Sequence, residues 1–117
     1  MRRYTFQLLL ISMLSLFWLT ASCTYRDVHF RIGVSQCSDD EWRHQMNNEM
    51  LREALFYDGV EVDIRTVKDD NAQQIEDIRN FIQEGVDLLV VAPNEAAPIT
   101  PVVEEAFDRG IPVLVFD

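Results

Sequence analysis

EGVDLLVVAPNEAAPITPVVEEAFDRGIPVLVFD, residues 84–117, contains a complete strand, helix and strand, and its reading decides the fold. The run from Asp87 to Ala92 is almost wholly apolar. Such a run suits a strand buried on both faces of a parallel sheet, because an antiparallel strand with one wet face alternates apolar and polar residues. After the turn Pro93-Asn94-Glu95-Ala96-Ala97-Pro98, the residues Ile99, Val102, Val103, Ala106 and Phe107 recur at helical spacing. Pro98 and Pro101 lie near the start of that helix, where a missing N–H costs least, and Gly110 lies just past its end. Pro112 to Phe116 is the next strand, with Asp117 at its carboxyl end. Open parallel sheets bind ligands at the carboxyl ends of their strands, so the Asn94 loop and Asp117 are where function is to be sought.

The same unit repeats upstream. Val28, Phe30, Ile32 and Val34 alternate through a first strand; Gly33 within it marks either a close backbone approach or tight packing of a helix. Ser38 followed by Glu41 fits a capping box, which predicts a helix from near Asp39 with an apolar stripe of Trp42, Met46, Met50, Ala54 and Leu55, ended by Asp58-Gly59. Val60 to Val67 is a second strand, less continuously apolar and therefore an edge. Asn71 can cap a second helix that buries Ile75, Ile78, Phe81 and Ile82 and is closed by Gly85. Gly59, Gly85 and Gly110 each lead from a helix into a strand, at intervals of 26 and 25 residues. That period is a strand-helix unit. It predicts an α/β fold whose parallel sheet has four strands joined by three helices, right-handed crossovers and the order 2-1-3-4. No Pro-, Gly- or Ser-rich linker divides the segment 28–117.

Ahead of this domain, Arg2 and Arg3 precede an apolar run from Leu8 to Leu19 and then Thr20-Ala21-Ser22-Cys23, the layout of an export signal over residues 1–23, followed by a short connection, 24–27. The small residues before Cys23 resemble a lipoprotein signal, in which that cysteine is lipidated, although Thr20 stands where leucine is usual. An uncleaved signal anchor, or an ordinary signal with an incidental cysteine, is the alternative. Each reading places the following segment outside the cytoplasm and two of them tie it to a membrane. Without the signal the chain has 8 basic and 20 acidic residues, a balance of −12 that disfavours nucleic acid as a partner. Cys37 is the only other cysteine, so there is no disulfide framework, and it reads as a small buried hydrophobe.

Several chemistries fail on the residues. The first loop, Val34-Ser35-Gln36-Cys37-Ser38, lacks the glycines a dinucleotide pyrophosphate needs, and no phosphate-cradling lysine motif occurs. Asp39-Asp40 resembles the acidic pair of a response-regulator receiver, but Ala92 stands where the phosphate-accepting aspartate would be. His29 and His44 form no catalytic arrangement or metal-ligand spacing and receive no role; no cofactor is implied. What remains at the carboxyl ends of the strands is Gln36, Asp39, Asp40, Trp42 and Arg43 after the first, Asn94 and Glu95 after the third, and Asp117 after the fourth. Carboxylates, amides and a guanidinium suit the hydroxyls of a polyol, and an indole face suits the apolar face of a sugar ring. Asp39 and Glu95 read more simply as helix-terminal residues, whereas Trp42 and Asp117 lean toward ligand contact.

The sequence RIGVSQCSDDEWRHQMNNEMLREA, together with IRNFIQEGVDLLVVAPNEAAPITPVVEEAFDRGIPVLVFD, resembles the type I periplasmic sugar-binding proteins, the ribose-binding and LacI-like group, over residues 30–117. The resemblance implies that an aromatic at the place of Trp42 packs on the sugar, that Asp40 can hydrogen-bond to it, and that Asp117 grips ring hydroxyls. Arg43 replaces a second aromatic, which leaves the sugar's identity open. SQCSDDEWR and DLLVVAPNEAAPITPVVEEA are similar in particular to the extracytoplasmic sensor domains of hybrid two-component histidine kinases. It follows as an expectation that this is the amino-terminal part of one lobe, the partner lobe and a kinase core lying farther on. The expected function is a carbohydrate-binding sensor module taking a monosaccharide or small oligosaccharide. A substrate-binding protein of a sugar ABC transporter is the alternative, and an α/β enzyme is disfavoured for want of a catalytic set.

Overall fold

The computed structural model of the chain describes residues 30–116. Residues 1–29, with the expected export signal, Cys23, the expected connection 24–27 and His29, and also Asp117, lie outside the described residues. Strands and helices alternate: β1 (Phe30–Gln36), α1 (Glu41–Ala54), β2 (Val60–Thr66), α2 (Asn71–Glu84), β3 (Leu88–Val91), α3 (Ala96–Asp108) and β4 (Val113–Val115). The strands pair in parallel in the order β2-β1-β3-β4, as the repeat predicts. In that register Val34 lies between Ile64 and Val90. β1 runs on to Gln36, farther than its alternating apolar residues, because the ladder with β2 continues to Gln36 opposite Thr66.

The period-2 alternation of a strand sends Leu89 and Val91 to one face, where they form the core with Ile78, Phe81, Ile99 and Val102 of α2 and α3. Gly33 shares that face. The other face carries Ile32, Val60, Val62, Leu88 and Val90, which line an apolar groove of about 240 Å³ with Met50, Ala54 and Tyr57 at the side of α1. α1 covers this face only in part, and its sequence stripe is accordingly buried only in part. Met46, Met50 and Ala54 are half-buried, while Trp42 and Leu55 are 58% and 69% exposed. The residue of α1 that is buried is Arg43.

The helix starts differ from the expected caps by one or two residues. Asp40, not Ser38, caps α1: its carboxylate accepts from the Arg43 backbone N–H at 2.9 Å, and the Ser38 hydroxyl donates to the same carboxylate at 2.7 Å. α2 is capped by Asp70, which accepts from the Gln73 N–H at 3.0 Å, so Asn71 is the first helical residue. Gly85 ends α2 with φ 69°, a left-handed conformation that favours glycine. α3 begins at Ala96, placing Pro98 in its first turn and Pro101 inside the helix, where it cannot donate to the Ala97 carbonyl.

At the β2 edge, Arg65 lies with its guanidinium 4.0 Å from the Phe81 ring centre and pairs with Asp63 at 3.0 Å and Glu84 at 2.8 Å. Partial burial pulls its pKa down, but hydrogen bonds to Glu84 and Asp63 more than offset this and the net shift is upward. This arginine thus covers one face of the Phe81 ring.

Candidate functional site

The carboxyl ends of β1, β3 and β4 bring together the loop 37–40, the first turn of α1, the Pro93-Asn94 turn and Phe116. β1 and β3 are neighbours in the sheet although 52 residues separate Gln36 from Leu88, so this assembly is a product of the sheet order. An open cleft of about 450 Å³ lies there, lined by Pro93, Asn94, Ala96, Val115 and Phe116.

Arg43 is 7% exposed, and its guanidinium carbon lies 4.8 Å from the Trp42 ring centre and 5.3 Å from that of Phe116. Both distances are within the range where an aromatic face attracts a cation, which helps to hold the group in place. Trp42 itself is largely exposed, at variance with a core role and compatible with a ring that receives another ring. Phe116 was not legible as a site residue, since as the last apolar residue of a buried-strand pattern it reads as core.

The remaining sequence-chosen residues divide. Asp40 accepts from Ser38 and from the Arg43 N–H, and these hydrogen bonds hold its carboxyl below its ordinary value, the Ser38 hydroxyl contributing most. Asp39 pairs with His44, Oδ1 to Nε2 at 3.0 Å, on the exposed surface, and Glu95 precedes α3 without making a side-chain cap. Gln36 is fully buried and its Nε2 donates to Asn47 Oδ1 at 2.6 Å, so the amide ties β1 to α1; its Oε1 has no hydrogen-bond partner among the described residues. Asn94 donates from its side-chain Nδ2 to Asn71 Oδ1 at 2.9 Å and from its backbone N–H to Gln74 Oε1 at 2.9 Å. Gln74 is not among the residues expected at the site from the sequence. Its signal was there: it lies one turn before Ile78 on the apolar face of α2, where a buried amide must find partners. Cys37 is half-buried with a free thiol.

Carboxylate and indole at the carboxyl edge of a parallel sheet, beside a cleft, are groups able to hydrogen-bond to and stack on a small hydroxylated molecule. A family model, the periplasmic binding protein domain, matches residues 32–117. The chain belongs to that family. The resemblance carried by SQCSDDEWR and DLLVVAPNEAAPITPVVEEA extends to solved structures of type I periplasmic binding proteins. The fructose binding periplasmic domain of a hybrid two component system is 64% identical, with a TM-score of 0.75, over 76% of this chain and 30% of that one. An ABC transporter solute binding protein from Bacillus halodurans, solved with bound myo-inositol, is 30% identical with a TM-score of 0.70, over 76% of this chain and 31% of that one. The galactofuranose-binding protein of Escherichia coli (strain K12) is 34% identical over 87 residues, 74% of this chain and 27% of the relative. The periplasmic binding protein segment thus spans about 30% of the length of the relatives it matches. Among the described residues no helix is long and apolar enough to cross a membrane; the apolar run of residues 8–19 lies outside them.

Proposed function

We propose that this chain is part of the extracytoplasmic, sugar-binding sensor domain of a hybrid two-component histidine kinase, and that its ligand is a free hexose of the fructose type. The observation that carries the reading is the 64% identity to a fructose binding periplasmic domain of such a system, against 30% for a transporter component of the same fold. In this reading residues 28–117 form the first part of one lobe, and the residues 1–23 export it and hold it at the membrane through an uncleaved anchor or through lipid on Cys23. Trp42 supplies an apolar platform for the ring, Arg43 donates to hydroxyls, and Asp117 and Asp40 accept from them; Asn94 and Gln36 support the wall that these groups stand on. The test is calorimetric titration of the full-length extracytoplasmic domain with a panel of D-fructose, D-ribose, D-galactose and myo-inositol. Saturable binding of D-fructose in preference to the others is expected, and absence of binding to every sugar overturns the reading.

The transporter alternative rests on the ABC transporter binding proteins among the relatives. The reading frame beyond codon 117 separates the two. A membrane segment and kinase core support the sensor, and a stop after the second lobe supports transport.

A further inference from the structure

Gln74 is fully buried, one turn into α2, and each hydrogen of its side-chain amide has an acceptor. Nε2 donates to the Ala92 carbonyl at 2.8 Å and to the Ser35 hydroxyl at 3.1 Å, and Oε1 accepts from the Asn94 backbone N–H at 2.9 Å. These partners mark the place where the ladder ends. Ala92 makes the last link, its N–H donating to the Ser35 carbonyl at 2.8 Å, and Pro93, which follows, has no N–H to give. The Ala92 carbonyl and the Asn94 N–H are therefore the first backbone groups beyond β3 that need partners from elsewhere, and one amide satisfies both. Asn71, one turn earlier on α2, accepts from the Asn94 side chain, so the same helix grips the same turn at two points. Pro93 and Asn94 in turn form one wall of the cleft of about 450 Å³ opposite Val115 and Phe116.

We infer that Gln74 is a positioning residue of the candidate site: it sets the Pro93-Asn94 turn at the carboxyl edge of the sheet, and through that turn it sets ligand affinity, without touching ligand. The inference rests on the sugar-binding reading for the identity of the probe, but the clamp on Asn94 is testable without any ligand. Loss of the amide leaves the buried Ala92 carbonyl and the part-buried Asn94 N–H, the latter at the cleft wall, to find new partners, and the turn moves to let them.

The experiment compares wild type, Gln74→Met, Asn71→Ala and a core control, Ile78→Val, in the full-length extracytoplasmic domain. Two quantities are read: the Kd for D-fructose and hydrogen exchange at the Asn94 amide, which is reported cleanly because Pro93 has none. Gln74→Met keeps the side-chain length and is expected to weaken D-fructose binding about tenfold and to speed exchange at Asn94. Asn71→Ala is expected to move both in the same sense by less, and it keeps the test open should Gln74→Met fail to fold. Ile78→Val lowers the unfolding temperature while leaving affinity and Asn94 exchange unchanged, which a merely structural role for Gln74 would imitate. Unchanged Asn94 exchange in Gln74→Met and Asn71→Ala, or a change in affinity no larger than that of the control, overturns the inference. Should wild type bind no sugar, the sugar-binding reading fails and the exchange comparison alone decides the clamp.

Discussion

Gly33 and Phe81 are in contact so close that a Cβ at position 33 would stand 2.8 Å from both Cγ and Cδ1 of the ring. The ring has little freedom to withdraw, since it is fully buried and Arg65 covers it with a guanidinium 4.0 Å from its centre. Of the two meanings a strand glycine can have, the one realised here is tight packing of a helix on β1. Gly33→Ala should destabilise the domain by about 1 to 3 kcal/mol through overpacking. Phe81→Leu vacates the space that the new methyl needs, so the double variant should cost less than the sum of the two single ones. Denaturant unfolding of the four proteins measures the coupling, and strict additivity would refute the contact as the cause.

Arg65 should matter to stability through its stack on Phe81 as much as through its charge. Arg65→Met retains an apolar cover for the ring and gives up the pairs with Asp63 and Glu84, so it is expected to cost about 1 kcal/mol, whereas Arg65→Ala uncovers the ring and costs more. Equal destabilisation by the two, measured by urea unfolding at low and high salt, would assign the effect to charge alone.

Asp40 predicts a pH dependence. Hydrogen bonds from the Ser38 hydroxyl and then from the Arg43 N–H depress its pKa below the ordinary 3.8. A carboxyl whose folded pKa is depressed adds stability at pH above its ordinary value, and that contribution is lost as pH falls through the lower, folded value. Asp40→Asn keeps a cap acceptor that does not titrate, so wild type should lose stability relative to this variant only on acidification below about pH 4. Unfolding midpoints that fall in parallel for both proteins would remove Asp40 from the acid response.

Trp42→Ala and Asp117→Ala should each weaken binding of D-fructose by the full-length domain by about 1 to 3 kcal/mol, through a lost ring stack and an unsatisfied hydroxyl respectively. Because Trp42 is 58% exposed, its removal should leave the unfolding temperature nearly unchanged, which separates a binding role from a packing one. Calorimetry on the folded variants measures the loss, and full affinity in both would take these residues out of the site.

Among the described residues β4 is an edge strand of the sheet, and Leu114, Val115 and, on α3, Phe107 are 51%, 56% and 70% exposed. An apolar edge with free backbone groups is a template for association. Residues 24–117 expressed alone should therefore show a mass that rises with concentration in sedimentation, and Leu114→Lys should shift them toward monomer. A monomeric wild-type segment with a sharp unfolding transition would contradict this.

The strand-helix repeat is legible in the Gly59, Gly85 and Gly110 period, and the order 2-1-3-4 expected from it is the order of the sheet, although right-handed crossovers alone also allow other orders. The core of α2 and α3 was legible for the same kind of reason: Ile78, Phe81, Ile99 and Val102 repeat at helical spacing, and periodicity reports which side of a helix is dry. Periodicity says nothing of what lies opposite. The apolar stripe of α1 marks a face but not how much of it is covered: α1 meets the sheet only over part of one face, which leaves Leu55 in solvent, Trp42 exposed as its expected ligand role requires, and Arg43 buried. Partnership across the sheet was likewise invisible to local reading. Gln74 is separated from Ser35 by 39 residues and from Ala92 by 18, and Arg43 reaches Phe116 from the other end of the domain. Local propensity and hydrophobic period are properties of neighbours along the chain, so they determined the elements and their order. Which polar groups meet at the carboxyl edge depends on how parallel strands from distant parts of the chain register side by side, and that only the tertiary structure decided.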